Sequence, residues 1–428
     1  MNFFSKHIEV YRTSRVFVPG GLPKLTYNPR KTLDLETQLK KAKDNLCKLV
    51  MVTGSTKSGK TVLTTTVFGR EDAIWFDGGA YSNEEEFWKD IVDQLDVPLE
   101  ENRTQTSSET STSAVAADIE KNFLIVKAKI GGNVGSAKSD GYATSSSIKR
   151  GPKALALRSL SDSQKPLIID DFHYIPREHQ ALIVRALKAV IFEGVPVVFL
   201  AIPHRRLDAV KVEREMTGRV DTISVPAWEL NELAEIANKG FPLLNIKIDN
   251  RIVEHFSQEA IGSPHLMQEF CRAICSHYGV EETSAKEVEI KDISLDHLFK
   301  QVAVGTGKIM FDKLSRGPRQ RSDRLPRTLK SGRRTDIYGL VLQGLAEIRP
   351  GMDKVDYEEL RTKIRDISAE KPPEAHEISR VLEHMSNIAS SDESSTPVLD
   401  WEKEDRVLHI TDPFFAYYLR WGIEKVNT

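Results

Sequence analysis

Residues 54–61 read Gly-Ser-Thr-Lys-Ser-Gly-Lys-Thr, two glycines enclosing four residues and followed by a lysine and a hydroxyl. Small residues let consecutive backbone N–H groups close around phosphate oxygens, and a helix start directly after them adds its positive end. In that pattern Lys60 reaches the β- and γ-phosphates of a nucleoside triphosphate, and the Thr61 hydroxyl holds Mg²⁺. Gly54, Ser55, Thr56, Lys57, Ser58, Gly59, Lys60, Thr61 and Val62 form the expected cradle. The apolar run before them and the helix-compatible residues after them supply the strand and helix such a loop needs.

A second constellation lies about 110 residues downstream, where the run Pro166-Leu-Ile-Ile ends in Asp170 and Asp171. An acid at the end of a buried strand suits a carboxylate that holds Mg²⁺ through water; Asp170 takes that role. Asp171 stands where many P-loop ATPases carry a glutamate that orients the attacking water. The shorter aspartate leads us to expect slow hydrolysis. The next apolar run ends at His204, a candidate γ-phosphate contact, followed by Arg205 and Arg206. Arg205 could neutralise developing phosphate charge or bridge to a neighbour; an ordinary basic loop is the competing reading. Arg214 and Arg219 are further candidates, in cis or in trans.

These groups need strands and helices to hold them. The apolar runs 46–53, 73–77, 166–171 and 195–202 read as strands, with helices expected at about 59 onward, 84–95, 155–160 and 179–193. Continuous apolar strands alternating with helices predict an α/β three-layer sandwich with a parallel sheet covered on both faces. Residues 1–45 read as an N-terminal segment contacting nucleotide, 46–228 as the P-loop core, 229–305 as a helical lid, 306–334 as a basic linker and 335–428 as a winged-helix domain. Residues 101–150 form a polar insertion with two strands around Gly131-Gly132, either a surface hairpin or a contact element. Residues 313–334 hold nine Lys or Arg against Asp323 and read as a charged linker or disordered loop. The winged helix rests on three helical stretches followed by two short strands flanking Glu402-Lys-Glu-Asp405.

Composition sets limits. A chain of 428 residues with 40% apolar and 29% charged residues is expected to be globular and divided into two or three domains. Its net charge of −2 excludes a global polyelectrolyte but not a local basic patch. No apolar stretch approaches the roughly 20 residues that span a bilayer, and no signal peptide is read. Three cysteines are too few for a disulfide framework, and a cytoplasmic location is expected. Cys271 and Cys275, four apart on a helical pattern, are either buried thiols or a metal pair, with buried thiols favoured.

Together, Gly54–Thr61, Leu167–Asp171, the strand ending at His204-Arg205 and the Gly262-Ser263-Pro264 turn resemble the AAA+/STAND branch of P-loop ATPases. The resemblance covers about residues 14–280, with the winged helix as the usual downstream module. Paired acids and the Gly-x-Pro turn favour STAND-like and origin-recognition-type members over unfolding motors. The resemblance implies ATP and Mg²⁺, nucleotide contact by Pro264 with His265 beside it, and adenine contact by the stretch Thr26-Tyr27-Asn28 with Arg30. No Asn-Lys-x-Asp guanine-reading motif occurs. The insertion at 101–150 and the lack of a repeat array depart from the family pattern.

Two functions follow as expectations. The first is a nucleotide-gated switch that homo-oligomerises and signals through a separate effector, by analogy in bacterial stress or phage defence. The second is a DNA-binding ATPase of the origin or transposition-regulator type, with nucleic acid meeting Lys313–Arg334. Against the second, the expected recognition helix carries Glu374, Glu377 and Glu383 beside Arg380, a poor face for phosphates. A small-molecule kinase lacks any second catalytic base.

Overall fold

A computed structural model of the chain describes residues 9–44, 47–96, 151–202, 218–291, 293–318, 325–351, 354–390 and 397–424. The expected insertion at 101–150, with its hairpin, lies outside them, as do His204, Arg205, Arg206 and Arg214.

The apolar runs become β1 (Leu49–Gly54), β2 (Ile74–Asp77), β3 (Leu167–Asp170) and β4 (Val197–Ala201), joined by β5 (Val220–Val225). All pair in parallel, in the order β2-β3-β4-β1-β5. Because side chains alternate across a strand, each strand feeds two cores. Leu49, Met51, Leu167, Ile169, Val197 and Phe199 face one core, built with the helices Glu84–Gln94, Pro152–Ser163 and Arg177–Phe192. Val50, Val52, Ile168, Val198 and Leu200 face the other, with Leu35–Lys40 and Lys60–Phe68. In chain order, with Thr13–Val16 as α1, these five helices are α2 (Leu35–Lys40), α3 (Lys60–Phe68), α4 (Glu84–Gln94), α5 (Pro152–Ser163) and α6 (Arg177–Phe192). This is the expected α/β P-loop fold.

Strand β5 was not expected. Its residues run Val-Asp-Thr-Ile-Ser-Val, with only Ile223 and Val225 buried, so an edge strand reads as polar sequence. The finding relocates Arg219. Its carbonyl accepts from the Leu49 N–H at 2.9 Å, at the start of β1, whereas the phosphate loop leaves the far end of that strand. Arg219 is exposed at the opposite edge of the sheet from Lys60 and does not reach the site of its own chain.

Beyond the sheet, α7 (Leu230–Leu243), α8 (Asn250–Glu259) and α9 (Pro264–His277) pack into one apolar cluster, with β6 (Ile246–Ile248) and β7 (Val288–Ile290) paired in parallel beside them. Cys271 and Cys275 are fully buried in that cluster. Burial raises both thiols, Cys275 to about 12, so they stay protonated and act as apolar filling rather than metal ligands. A long helix, α10 (Asp296–Arg316), runs straight through the lid–linker boundary expected at 305–306. Of the basic stretch, residues 319–324 lie outside the described residues. Its described parts are the end of α10 and an antiparallel ribbon, β8 (Arg327–Thr328) with β9 (Arg334–Thr335).

The C-terminal unit comprises α11 (Ile337–Ile348), β10 (Lys354–Asp356), α12 (Tyr357–Ile367), α13 (Ala375–Ser390), β11 (Leu399–Glu402), β12 (Val407–Ile410) and α14 (Pro413–Trp421). Its antiparallel sheet has three strands, β10-β12-β11, one more than expected, because three-residue β10 gives too little periodicity to read. α14 crosses α10 at Gly307, where a Cβ would lie 2.4 Å from Cβ of Tyr418, so only glycine permits the approach. No described helix is long and apolar enough to cross a membrane.

One buried ion pair fixes the N-terminal segment. Arg30 forks onto Glu232 of α7 at 2.9 and 2.7 Å and donates to the carbonyls of Pro226 and Ala227. Removing one partner of such a pair strands the other. Arg30→Ala is expected to cost about 3–5 kcal/mol in thermal unfolding, and Arg30→Ala/Glu232→Ala to recover part of it. Equal losses in the single and double variants would refute the account.

Candidate nucleotide site

At the C-terminal edge of the sheet, β1 runs into the glycine-bounded loop and α3 begins at Lys60. Gly59 has φ +94°, a backbone state other residues rarely adopt, and it turns the loop so that α3 points back over the strand ends. Lys60 is buried and donates to the carbonyls of Gly54 and Ser55 at 3.0 and 2.9 Å. Burial lowers its pKa, opposed by the nearby charges of Asp171 and Asp170. The Thr61 hydroxyl donates to Asp170 Oδ2 at 2.9 Å, bringing together the two groups proposed to share a metal. The Asp171 N–H donates to Asp170 Oδ1 at 3.0 Å.

Both carboxylates are raised by burial. Asp171 goes to about 6, with Asp170 adding repulsion and Lys60 opposing it. Asp77, in register with Asp170 at the end of β2, is a third acid at this edge and lines the same cavity. The acid closing the strand Ala-Ile-Trp-Phe-Asp77 was the signal for it.

The residues fit a phosphate chain and a divalent cation. The buried hydroxyls Thr56 Oγ1 and Ser58 Oγ have no hydrogen-bond partner in this structure. Desolvated Asp170 and Asp171 beside Thr61 supply hard oxygen donors, and a cation there would relieve their repulsion.

A cavity of about 760 Å³ is lined by Thr56, Ser58, Lys60, Thr61, Asp77 and Asp171. Its lining includes Thr26, Tyr27, Asn28 and Arg30 from the N-terminal segment, and Pro264 and His265 from the start of α9. The Tyr27 hydroxyl donates to Glu36 at 3.0 Å, and burial with Glu36 raises its pKa. Arg30, engaged by Glu232, supports the wall. Gln268, also in the lining, accepts from Val18 N–H at 3.0 Å and donates to Thr26 Oγ1 at 2.8 Å, tying segment to lid.

Trp228 and Asp412 escaped the sequence reading. The Trp228 indole donates to the Ser58 carbonyl at 2.9 Å while its N–H meets the Gly262 carbonyl, joining phosphate loop to lid turn. Lys57, with φ 59°, points away from Lys60. Its ammonium meets Asp412 Oδ2 at 2.5 Å and lies 3.8 Å over the Phe414 ring. Asp412 caps α14 through the Phe415 N–H, so the C-terminal unit closes one wall of the cavity, together with Val398. Asp412-Pro413 was legible as a helix start, but nothing local pointed it at Lys57.

No protein-family model matches the sequence, and no curated protein matches it. Among solved structures, a Walker-type ATPase of Pyrococcus abyssi is 15% identical, with 90% of this chain and 94% of that chain covered and a TM-score of 0.50. The ORC1 protein of Aeropyrum pernix, solved in complex with DNA, is 12% identical, with 96% of each chain covered and a TM-score of 0.45. A STAND protein with a tetratricopeptide repeat sensor from Pyrococcus horikoshii is 12% identical, covering 93% of this chain and 43% of that one, with a TM-score of 0.37. The sheet order, the phosphate loop and the first of these likenesses give the class: the fold is the α/β fold of P-loop nucleotide-binding proteins.

In the metal-free, nucleotide-free protein, a carboxyl raised to about 6 destabilises the fold once it ionises. The sign follows from linkage: the stability is present below the unfolded value and lost as pH rises through the folded one. Asp171→Asn is therefore expected to melt a few degrees above the parent at about pH 8, with the gap closing by about pH 4. A gap that does not vary with pH would show that Asp171 is not perturbed in this way.

Proposed function

We propose that this chain is a Mg²⁺-dependent ATP-binding switch that hydrolyses slowly and changes the placement of its C-terminal unit with the nucleotide it holds. The observation that carries this reading is the Lys57–Asp412 pair, because it makes the phosphate loop itself a contact of the C-terminal unit. Lys60 grips phosphate, Thr61 and Asp170 hold the cation, and Asp171 takes a proton from water. Pro264, His265 and Tyr27 bound the rest of the nucleotide. The carboxylate of Asp412 sits in the lining, so added negative charge at the phosphate end competes with it for Lys57. Triphosphate loosens the latch and diphosphate leaves it shut.

The three helices and three-stranded sheet at the C-terminus read as a winged helix that docks on protein. Its release exposes surface for a second copy of the chain and for a separate effector. Contact of His204 and Arg205 with the γ-phosphate, in cis or from a neighbour, belongs to the same proposal, and Arg219 is available only to a neighbour.

Lys60→Ala is expected to weaken binding of a fluorescent ATP analogue at least tenfold and to abolish any ATP-dependent change in sizing profile. Asp412→Ala is expected to leave binding within about threefold while speeding release of a fluorescent ADP analogue about tenfold, since the wall is lost but the cradle is kept. Unchanged ADP release from Asp412→Ala, in a protein that melts normally, would sink the latch.

A further inference from the structure

Two surfaces of different charge meet in the C-terminal unit. One mixes both signs, with Glu377, Arg380 and Glu383 on α13 and Glu402, Lys403, Glu404, Asp405 and Arg406 around the β11–β12 turn, where Lys403 meets Glu383 at 3.4 Å. The other is the β8–β9 ribbon, whose turn shows Lys330, Arg333 and Arg334 to solvent. Among the described residues none of these three has an acidic partner, whereas Arg327 at the ribbon's base is held by Glu377 at 3.2 Å. Arg316, ending α10, and Arg365, near the end of α12, are exposed as well.

The ribbon is built to display these cations. Leu329 is buried in the C-terminal apolar cluster and anchors the first strand. The Leu329 N–H donates to the Arg333 carbonyl at 2.9 Å, and the Gly332 N–H returns to the Leu329 carbonyl at 2.8 Å. The Lys330 N–H donates to Ile367 at 2.9 Å, and the Ala369 N–H donates to Thr328 at 3.0 Å, stitching the ribbon to the end of α12. Three cations on five consecutive residues repel one another and contribute nothing to this core. Held on a fixed backbone, they present a closely spaced set of charges to a polyanion, whose neutralisation releases counterions.

We propose that the β8–β9 ribbon contacts the phosphate backbone of a nucleic-acid duplex. Glu377 of α13 holds Arg327 at the ribbon's base, so the phosphate contact is confined to the turn, where cations meeting phosphates read charge and spacing rather than base sequence. It uses no residue of the nucleotide cavity, and it goes beyond the switch reading without resting on it. The expected recognition helix plays no part.

The test is fluorescence anisotropy of a labelled DNA duplex with the full chain, from about 50 mM salt upward. The parent is expected to bind, and Lys330→Glu/Arg333→Glu/Arg334→Glu to lose at least tenfold in affinity. Its salt dependence should flatten by roughly 2–3 in log–log slope, about 0.9 for each lost phosphate contact. Arg333→Lys/Arg334→Lys should keep most of the binding, and the milder Lys330→Gln/Arg334→Gln pair should fall between. No binding by the parent, or equal affinity and slope in the charge-reversed variants, overturns the proposal. So does displacement of the duplex by polyglutamate at matched charge, which would make the ribbon a general acidic-surface contact. Unchanged melting and unchanged fluorescent-ATP binding in the variants keep this result separate from that of the switch.

Discussion

An ammonium and two carboxylates share a desolvated corner at the end of one parallel sheet, and the rest of the molecule is arranged around that corner. Burial disfavours the charged form of each, lowering Lys60 and raising Asp170 and Asp171. Each is tolerable only because the others are near. Their proximity is not local: β1 and β3 are separated by β4, and the gap is crossed because α3 starts where Thr61 can reach Asp170. The strand that leads to His204 is therefore the one between them. The donor set of this corner fits phosphate and a divalent cation, and the buried hydroxyls of Thr56 and Ser58, without a hydrogen-bond partner, belong to the same loop.

The phosphate loop contains two lysines with opposite orientations. Lys60 turns inward to carbonyls of its own loop, while Lys57, in a left-handed backbone state that costs about 1–2 kcal/mol, turns outward to Asp412 and Phe414. The ion pair and ring contact offset that strain only while the C-terminal unit is in place. Phe414 is also met edge-on by His265, so one ring touches loop and lid together.

Legibility in the sequence followed the range of the physics. The phosphate loop, the Asp170-Asp171 end and the four apolar strands are signals confined to a few neighbours, and the structure has them where they were read. Edge strand β5 is half polar because only one of its faces meets a core, so no apolar run announces it. The basic stretch looked like a linker because its cations dominate its composition, although Leu329 and Leu314 are enough to seat its described parts. Arg219 was read by its charge, when its place at the start of β5 decides what it can touch. Lys57 and Asp412 are 355 residues apart, and no periodicity or spacing joins them.

The packing directs where the molecule can open. α14 buries Tyr417 and Tyr418 in the lid cluster and Phe415 and Leu419 in the C-terminal cluster, while α10 threads both. The Tyr417 hydroxyl donates to Phe299, the Trp421 indole to Glu259, and Gly307 lets the two helices touch. Lid and C-terminal unit are thus welded by apolar area, whose separation would expose many large side chains at once. The phosphate loop meets that assembly through polar contacts: Trp228 to Ser58, and Lys57 to Asp412. Polar contacts at a cavity mouth exchange for water and phosphate at little net cost, whereas buried aromatic rings do not. In the proposed switch, the weak seam is therefore the one between phosphate loop and C-terminal unit, and the welded lid and C-terminal unit, with the β8–β9 ribbon, would move against the sheet as one body.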